Sequence, residues 1–244
     1  MSDGDKNIHN SAIPVLCQAC EARHKGICGA LDADQLVQLN KHSSQRSIQA
    51  GAELVGEEEE FTTFSNVLKG VVKLTKTMSD GRQQIVGLQF APDFLGRPFD
   101  ESSRVSAEAG SPVSLCIFPK TALEAMIREQ PELEHKLHVQ ALRELDEARE
   151  WMLTLGRKTA AEKVASFLHM IARNIDPEQD GEESDSRTFD LPLTRADIAD
   201  FLGLTIETVS RQLTRLRKAG IIEIENNRHV IVPDMNRLHR ATGN

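Results

Sequence analysis

The chain has 244 residues, 39% of them apolar, which is enough to fill one large core or two small ones and argues against a disordered chain. Its 29 Lys and Arg against 37 Asp and Glu leave a net charge of −8, so any nucleic-acid contact has to come from a local basic patch. No run approaches the ~18 to 20 consecutive apolar residues of a membrane span, and the polar start, Met1 to Asn10, lacks the apolar segment of a secretory signal, which predicts a cytoplasmic protein. The one Trp and the absence of Tyr weigh against stacking single-stranded bases on aromatic platforms, whereas duplex readers do not need them.

Residues 1–30 hold three of the four cysteines, with Pro14 and Gly26, and show no periodicity, so they read as an irregular arm. Leu31, Gln35, Leu36 and Leu39 then have helical spacing behind Asp32 and Asp34, which favour a helix N-terminus. Between residues 46 and 118, Asn66–Thr77 and Gln83–Phe90 alternate and flank Ser79-Asp80-Gly81, predicting a hairpin. Further strands near Ala52–Val55 and Val113–Phe118, punctuated by glycines, complete a small antiparallel roll. Helical spacing resumes at Lys120, and a long helix is predicted from about Glu132 to Leu155, ending at Gly156.

Within that helix His138, Ala141, Leu145, Ala148, Met152 and Leu155 recur at alternating steps of three and four, a heptad seam without a carboxylate. The seam predicts pairing with the same helix of a second copy, while a second stripe, Leu137, Leu142 and Trp151, faces the roll. A helix over Thr159–Asn174 follows. The acid-rich stretch Asp176–Ser186 then reads as a solvated loop.

Thr194, with Asp197 three residues on, caps a short helix to Leu202 that Gly203 stops. A second helix runs from Ile206 to Ala219 and Gly220 closes it, so the two make a helix-turn-helix. Ile221–Ile224 and His229–Val232 around Glu225–Arg228 suggest a β-wing. The second helix holds Arg211, Arg215, Arg217 and Lys218 against Glu207, a local net charge of +3 inside the acidic chain. Glu207, Ser210 and Arg211 sit on one face near its start, where Arg can read guanine, Glu can accept from cytosine and Ser can bond several base edges. Thr208 and Arg215 are candidate DNA contacts beside them, and Val209, Leu213 and Leu216 back the helix.

Thiols in the cytosol stay reduced, so the cysteines read as a ligand set rather than a disulfide framework. Cys17, Cys20 and Cys28 lie in the arm and Cys116 in a strand, and four thiolates could close an iron-sulfur cluster or a tetrahedral metal site. A local zinc set of Cys17, Cys20, His24 and Cys28 is the competing choice, with Cys116 as a strand residue buried for packing; spacing alone does not choose.

These features together resemble the CRP/FNR superfamily of bacterial transcription regulators, and within it the oxygen-responsive FNR branch of the FnrL and FnrN type. The resemblance rests on the cysteine arm, SDGRQQIVG (Ser79–Gly87), DFLGRP (Asp93–Pro98), REWMLTLGRKTAAEKVASFL (Arg149–Leu168) and LPLTRADIADFLGLTIETVSRQLTRLRKAGII (Leu191–Ile222). ETVSR, Glu207–Arg211, is its most specific element. The resemblance implies an α+β fold: a cysteine arm (1–30), a cyclic-nucleotide-binding-like β-roll (31–130), a dimerisation helix (131–156) and a winged helix-turn-helix (157–244). It also implies a [4Fe-4S] cluster on Cys17, Cys20, Cys28 and Cys116, and a homodimer reading a TTGAT…ATCAA-like palindrome through Glu207, Ser210 and Arg211. RNA polymerase would be a further partner, and the genes controlled would be anaerobic or microaerobic. A cyclic-nucleotide effector is not expected, because Asp93–Ala107 lacks the Gly-Glu and Arg-Ser phosphate cassette. No Walker loop, GxSxG or HExxH is present, so no enzyme is expected.

Overall fold

The computed structural model describes residues 13–18, 20–175 and 185–243. Residues 1–12 of the expected arm and 176–184 of the expected acidic loop lie outside that range. The chain divides into two compact units, Met1–Leu74 with Leu88–Glu144, and Thr75–Gly87 with Leu145–Asn244. The division cuts across two of the expected segments, because the long helix and the strands on either side of Ser79-Asp80-Gly81 each contribute to both units.

In the first unit the described part of the arm, from Ile13 onward, is not irregular. It forms the single turns α1 (Val15–Gln18) and α2 (Glu21–His24), a 3₁₀ turn at Ile27–Ala30, and then α3 (Ala33–His42). Asp32 and Gln35 close a reciprocal capping box at the start of α3. Turns this short have no hydrogen-bonded stability of their own; burial supplies it, with Ile13, Ala22, Ile27 and Cys28 all packed inside.

The roll is built from β1 (Ser44–Ile48), β2 (Glu53–Val55), β3 (Thr63–Lys69), β4 (Val72–Thr77), β5 (Gln83–Gln89), β6 (Phe94–Leu95), β7 (Ser106–Ala109) and β8 (Val113–Pro119). They form one sheet in the order β1-β8-β3-β6 and another in the order β2-β7-β4-β5. The stretch Asn66–Thr77, read above as one arm of a hairpin, is two strands in different sheets. Gly70 breaks it at φ 87°, where a Cβ would collide with the Pro112 carbonyl.

Alternation along β8 sends Val113 and Leu115 to a cluster with Val67, Val72, Ala107 and Ala109. Phe118 instead packs with Phe64, Phe94, Ile27, Leu36 and Leu39, joined by α4 (Lys120–Glu129) through Leu123 and Ile127. The arm and α3 therefore cover one face of the β1-β8-β3-β6 sheet, the face that carries Cys116.

Helix α5 spans Pro131–Arg157 and runs through Gly156, where a side chain would meet open space, so the glycine does not stop it. In the expected seam His138, Ala141, Leu145, Ala148 and Met152 are exposed and Leu155 is half-buried. The stripe meant to face the roll divides. Leu137 packs on the first unit's core, Leu142 is 54% exposed, and Trp151 packs on Phe201 in the second unit. A helix of 27 residues is ~40 Å long, more than one small domain face can cover.

In the second unit α6 (Ala160–Asn174) starts from the Thr159–Glu162 capping box. Helices α7 (Arg195–Leu202) and α8 (Ile206–Lys218) flank Gly203, which adopts the left-handed conformation at φ 60°. The wing is a three-stranded sheet, ordered β10 (Glu223–Glu225), β11 (His229–Val232), β9 (Arg187–Asp190). Asn226 and Asn227, at φ 49° and 58°, turn the hairpin between β10 and β11. A last helix, α9 (Met235–Arg240), packs on α6.

Candidate functional site

Helix α8, the second of the helix-turn-helix pair, is amphipathic. Val209, Gln212, Leu213 and Leu216 are buried, while Glu207, Ser210, Arg211, Thr214, Arg215, Arg217 and Lys218 are exposed. Thr205 caps α8 by accepting from the Thr208 N–H at 3.2 Å. Half-buried Thr208 in turn accepts from Arg211 Nη2 at 3.2 Å, so it orients the arginine as well as the helix start. Its own backbone N–H and the Thr205 hydroxyl hold the Glu207 carboxyl below the usual carboxylate range, so it is an ionised acceptor at neutral pH. An exposed row of one acceptor, one hydroxyl and one bidentate donor on a helix start suits major-groove base edges.

In the first unit the four cysteines, though distant in sequence, line one pocket. Cys17 lies in α1, Cys20 just before α2, Cys28 in the 3₁₀ turn and Cys116 in β8, with Arg23, Asn40, Ser43 and Asn66 around them. Strand register explains the floor, since Cys116 sits directly between Gln45 of β1 and Asn66 of β3. All four thiols are free.

Burial pushes the Cys28 thiol up to about 12, the neighbouring Cys116 thiol adds to the rise, and the Asn66 amide opposes it. Burial likewise takes Cys116 to about 11, against a hydrogen bond from Ser43, and raises Cys17 against the nearby Arg23 charge. In this form the site therefore holds protons that a metal would have to displace.

Asn66, 1% exposed, was not singled out by sequence reasoning. Its Nδ2 donates to Cys28 Sγ at 3.2 Å, and its Oδ1 is buried without a partner. The signal was available as a lone amide in an otherwise inward-facing strand. The donor chemistry fits a thiolate-bound cluster, with four soft sulfurs and hydrogen-bond donors at Cys28 and Cys116. The space among the side chains is about 20 Å³, room for a single water, so seating a larger group requires the arm to move outward. Among the described residues no three His, Cys, Asp or Glu side chains converge as one metal ion requires, and His24, of the alternative zinc set, is exposed and outside the pocket lining.

Comparison with known proteins identifies both domains. Residues 162–241 match the Crp-like helix-turn-helix domain and residues 45–130 the cyclic nucleotide-binding domain. The chain is 60% identical over 93% of its length, and 93% of the relative's, to a probable transcriptional activator of Rhizobium leguminosarum bv. viciae. It belongs to the FNR branch of the CRP/FNR superfamily of transcription regulators. A second member, the transcriptional activator protein FnrL of Cereibacter sphaeroides, is 42% identical over 93% of this chain and 92% of its own.

Among solved structures, FixK2 from Bradyrhizobium japonicum matches with a TM-score of 0.71 and 33% identity, covering 82% of this chain and 96% of that one. The expected α+β architecture of roll, long helix and winged helix-turn-helix is thus the CRP/FNR fold. The curated relatives are named as transcriptional activators, and with its own Crp-like helix-turn-helix domain this chain is a transcription regulator rather than an enzyme. No helix among the described residues is long and apolar enough to cross a membrane.

Proposed function

We propose that this CRP/FNR regulator is an oxygen-responsive activator, working in the cytoplasm, that binds a TTGAT…ATCAA-like palindrome as a homodimer and controls anaerobic or microaerobic genes with RNA polymerase. The observation that carries the reading is the gathering of Cys17, Cys20, Cys28 and Cys116 into one pocket with hydrogen-bond donors at two of the sulfurs. These four would hold a [4Fe-4S] cluster, which when bound supplies sensitivity to oxygen. The pocket's make-up speaks against the local zinc set of Cys17, Cys20, His24 and Cys28, because it draws in Cys116 and leaves out His24; chemical analysis of the metal separates a cluster from zinc on the four thiolates.

The chain's own residues carry the remaining work. Exposed Val139, Leu142, Leu145, Met152 and Leu153 on α5 supply an apolar face for the same helix of a second copy, beside His138, Ala141, Ala148 and Leu155. Pairing sets two copies of α8 against half-sites one DNA turn apart, ~34 Å. There Glu207, Ser210 and Arg211 read bases, Thr208 holds Arg211, and Arg215 is placed one turn further along the exposed face.

The test is purification without oxygen, chemical analysis of iron, sulfide and zinc, and a gel-shift on the palindrome before and after air. The expected result is about four irons per chain, with DNA binding lost as the colour bleaches. Zinc without sulfide, with binding indifferent to air, would overturn the oxygen-sensing reading and leave a regulator of the same fold.

A further inference from the structure

A helix that ends at a left-handed glycine leaves its last carbonyls without intrahelical partners. In α7 these are the carbonyls that lead into the turn before the reader helix, and side chains from outside the helix pair satisfy them. Lys163 Nζ of α6 donates to the Leu202 carbonyl at 3.4 Å. The Phe201 carbonyl accepts from Gln84 Nε2 at 3.0 Å, across 117 residues of sequence. Gln84 lies in β5, in the segment Thr75–Gly87 that groups with the second unit although its strands begin and end in the first.

The ring of the same residue meets the other element that runs from the first unit into the second. Trp151 of α5 packs edge-on against Phe201 with ring centroids 4.5 Å apart, and Phe167 of α6 approaches it from another direction at 6.0 Å. Gln84 of β5 and Trp151 of α5, both inside the second unit, thus meet one residue, two positions before the Gly203 turn. Phe201 is buried beside Ile198, Ala199, Val209 and Leu213, so a contact on it bears on the core of the helix pair.

We infer that Gln84 and Trp151 are positioning residues for DNA recognition, which hold the Phe201 end of α7 and so set the turn and the pitch of α8. The inference rests on α8 being the DNA reader. Its geometric part, that Gln84 anchors Phe201, stands apart from which DNA is read.

The chain's single tryptophan is Trp151 itself, so its fluorescence reports on the junction directly. In the full-length protein Gln84→Glu keeps the shape but replaces the amide donor with a carboxylate facing a carbonyl. Acrylamide quenching of Trp151 should rise. Affinity for palindromic DNA should fall about tenfold, equivalent to ~1.4 kcal/mol. The salt dependence of binding should stay at the wild-type slope, since no phosphate contact is removed.

Gln84→Lys, which keeps a donor on a long stem, should restore both readouts, which distinguishes anchoring from a general loss of stability. Wild-type quenching and affinity in Gln84→Glu would overturn the inference, as would a salt slope reduced by about one, the mark of a direct phosphate contact. The quenching readout needs no DNA. A wild-type protein that ignores the palindrome would therefore count against the reading of α8, while the Gln84 comparison still decides the anchor.

Discussion

Replacing Asn66 by leucine separates stability from function at the thiol pocket. Asn66 is essentially fully buried, gives one hydrogen bond to Cys28 Sγ at 3.2 Å, and leaves its Oδ1 without a partner. Losing the bond costs about 0.5–1.5 kcal/mol, whereas removing a buried unsatisfied acceptor returns about 1–3 kcal/mol. Leucine has similar volume and neighbours Phe118, Leu36 and Leu39, so little cavity or overpacking cost is added.

The cluster-free protein should thus be unchanged or stabilised by up to ~2 kcal/mol, and in a chain of this size each kcal/mol raises Tm by about 2–4 °C. The loaded protein should respond the other way. Without the amide donor the Cys28 sulfur is a poorer anchor, and air should bleach the protein about tenfold faster or more. Thermal unfolding of the cluster-free form and the anaerobic-to-air bleaching rate measure the two sides. A variant destabilised by more than ~1 kcal/mol that bleaches at the wild-type rate would refute the reasoning, because Asn66 would then be a structural strand residue with no task at the sulfur.

Three further outcomes follow from the geometry. Arg211→Ala should cost ~1–3 kcal/mol on the palindrome and relax base choice, whereas Lys218→Ala should weaken specific and random DNA alike and lower the salt slope by about one; equal losses on both DNAs for Arg211→Ala would contradict its assignment. Leu145→Asp places a charge at a seam position that is 44% exposed in the single chain, and should shift sedimentation from dimer to monomer while leaving the far-ultraviolet circular dichroism unchanged; an unaltered dimer would move the interface elsewhere.

The third outcome concerns pH. Burial, then the charges of His239, Arg173 and Lys158, holds the His169 imidazole below its ordinary value. The unfolded chain therefore binds that proton more readily than the folded one. Stability tied to this group is complete above about pH 6.5 and is lost as pH falls from there through the depressed folded value. His169→Gln should flatten the fall of Tm over that window, and an unchanged profile would show that other groups set it.

Local chemistry is what made the reader legible from residues alone. Thr194 with Asp197, Gly203, and the alternation of apolar and polar positions through α8 are short-range signals, and each stands where the spacing placed it. The β4–β5 hairpin around Asp80-Gly81 and the helix over residues 160–174 were legible for the same reason. The signal failed where burial overrode propensity. The arm has no period of its own and folds only because Ile13, Ala22 and Ile27 find a sheet face to cover. Strand β1, exposed at four of its five positions, offers no apolar pattern, and β9 is recognisable only as the partner of β11.

The amino-acid sequence by itself determined the residue types available for function: four thiols, a basic helix with an acceptor and a hydroxyl at its start, and an apolar seam without a carboxylate. Those identities depend on composition and spacing, which are one-dimensional. Tertiary structure alone decided that Cys116 joins the arm cysteines across the β1-β8-β3 register, that Asn66 faces them, and that Gln84 reaches Phe201. Each of these depends on which strands pair and which face is covered, a choice made by long-range burial that no local pattern encodes.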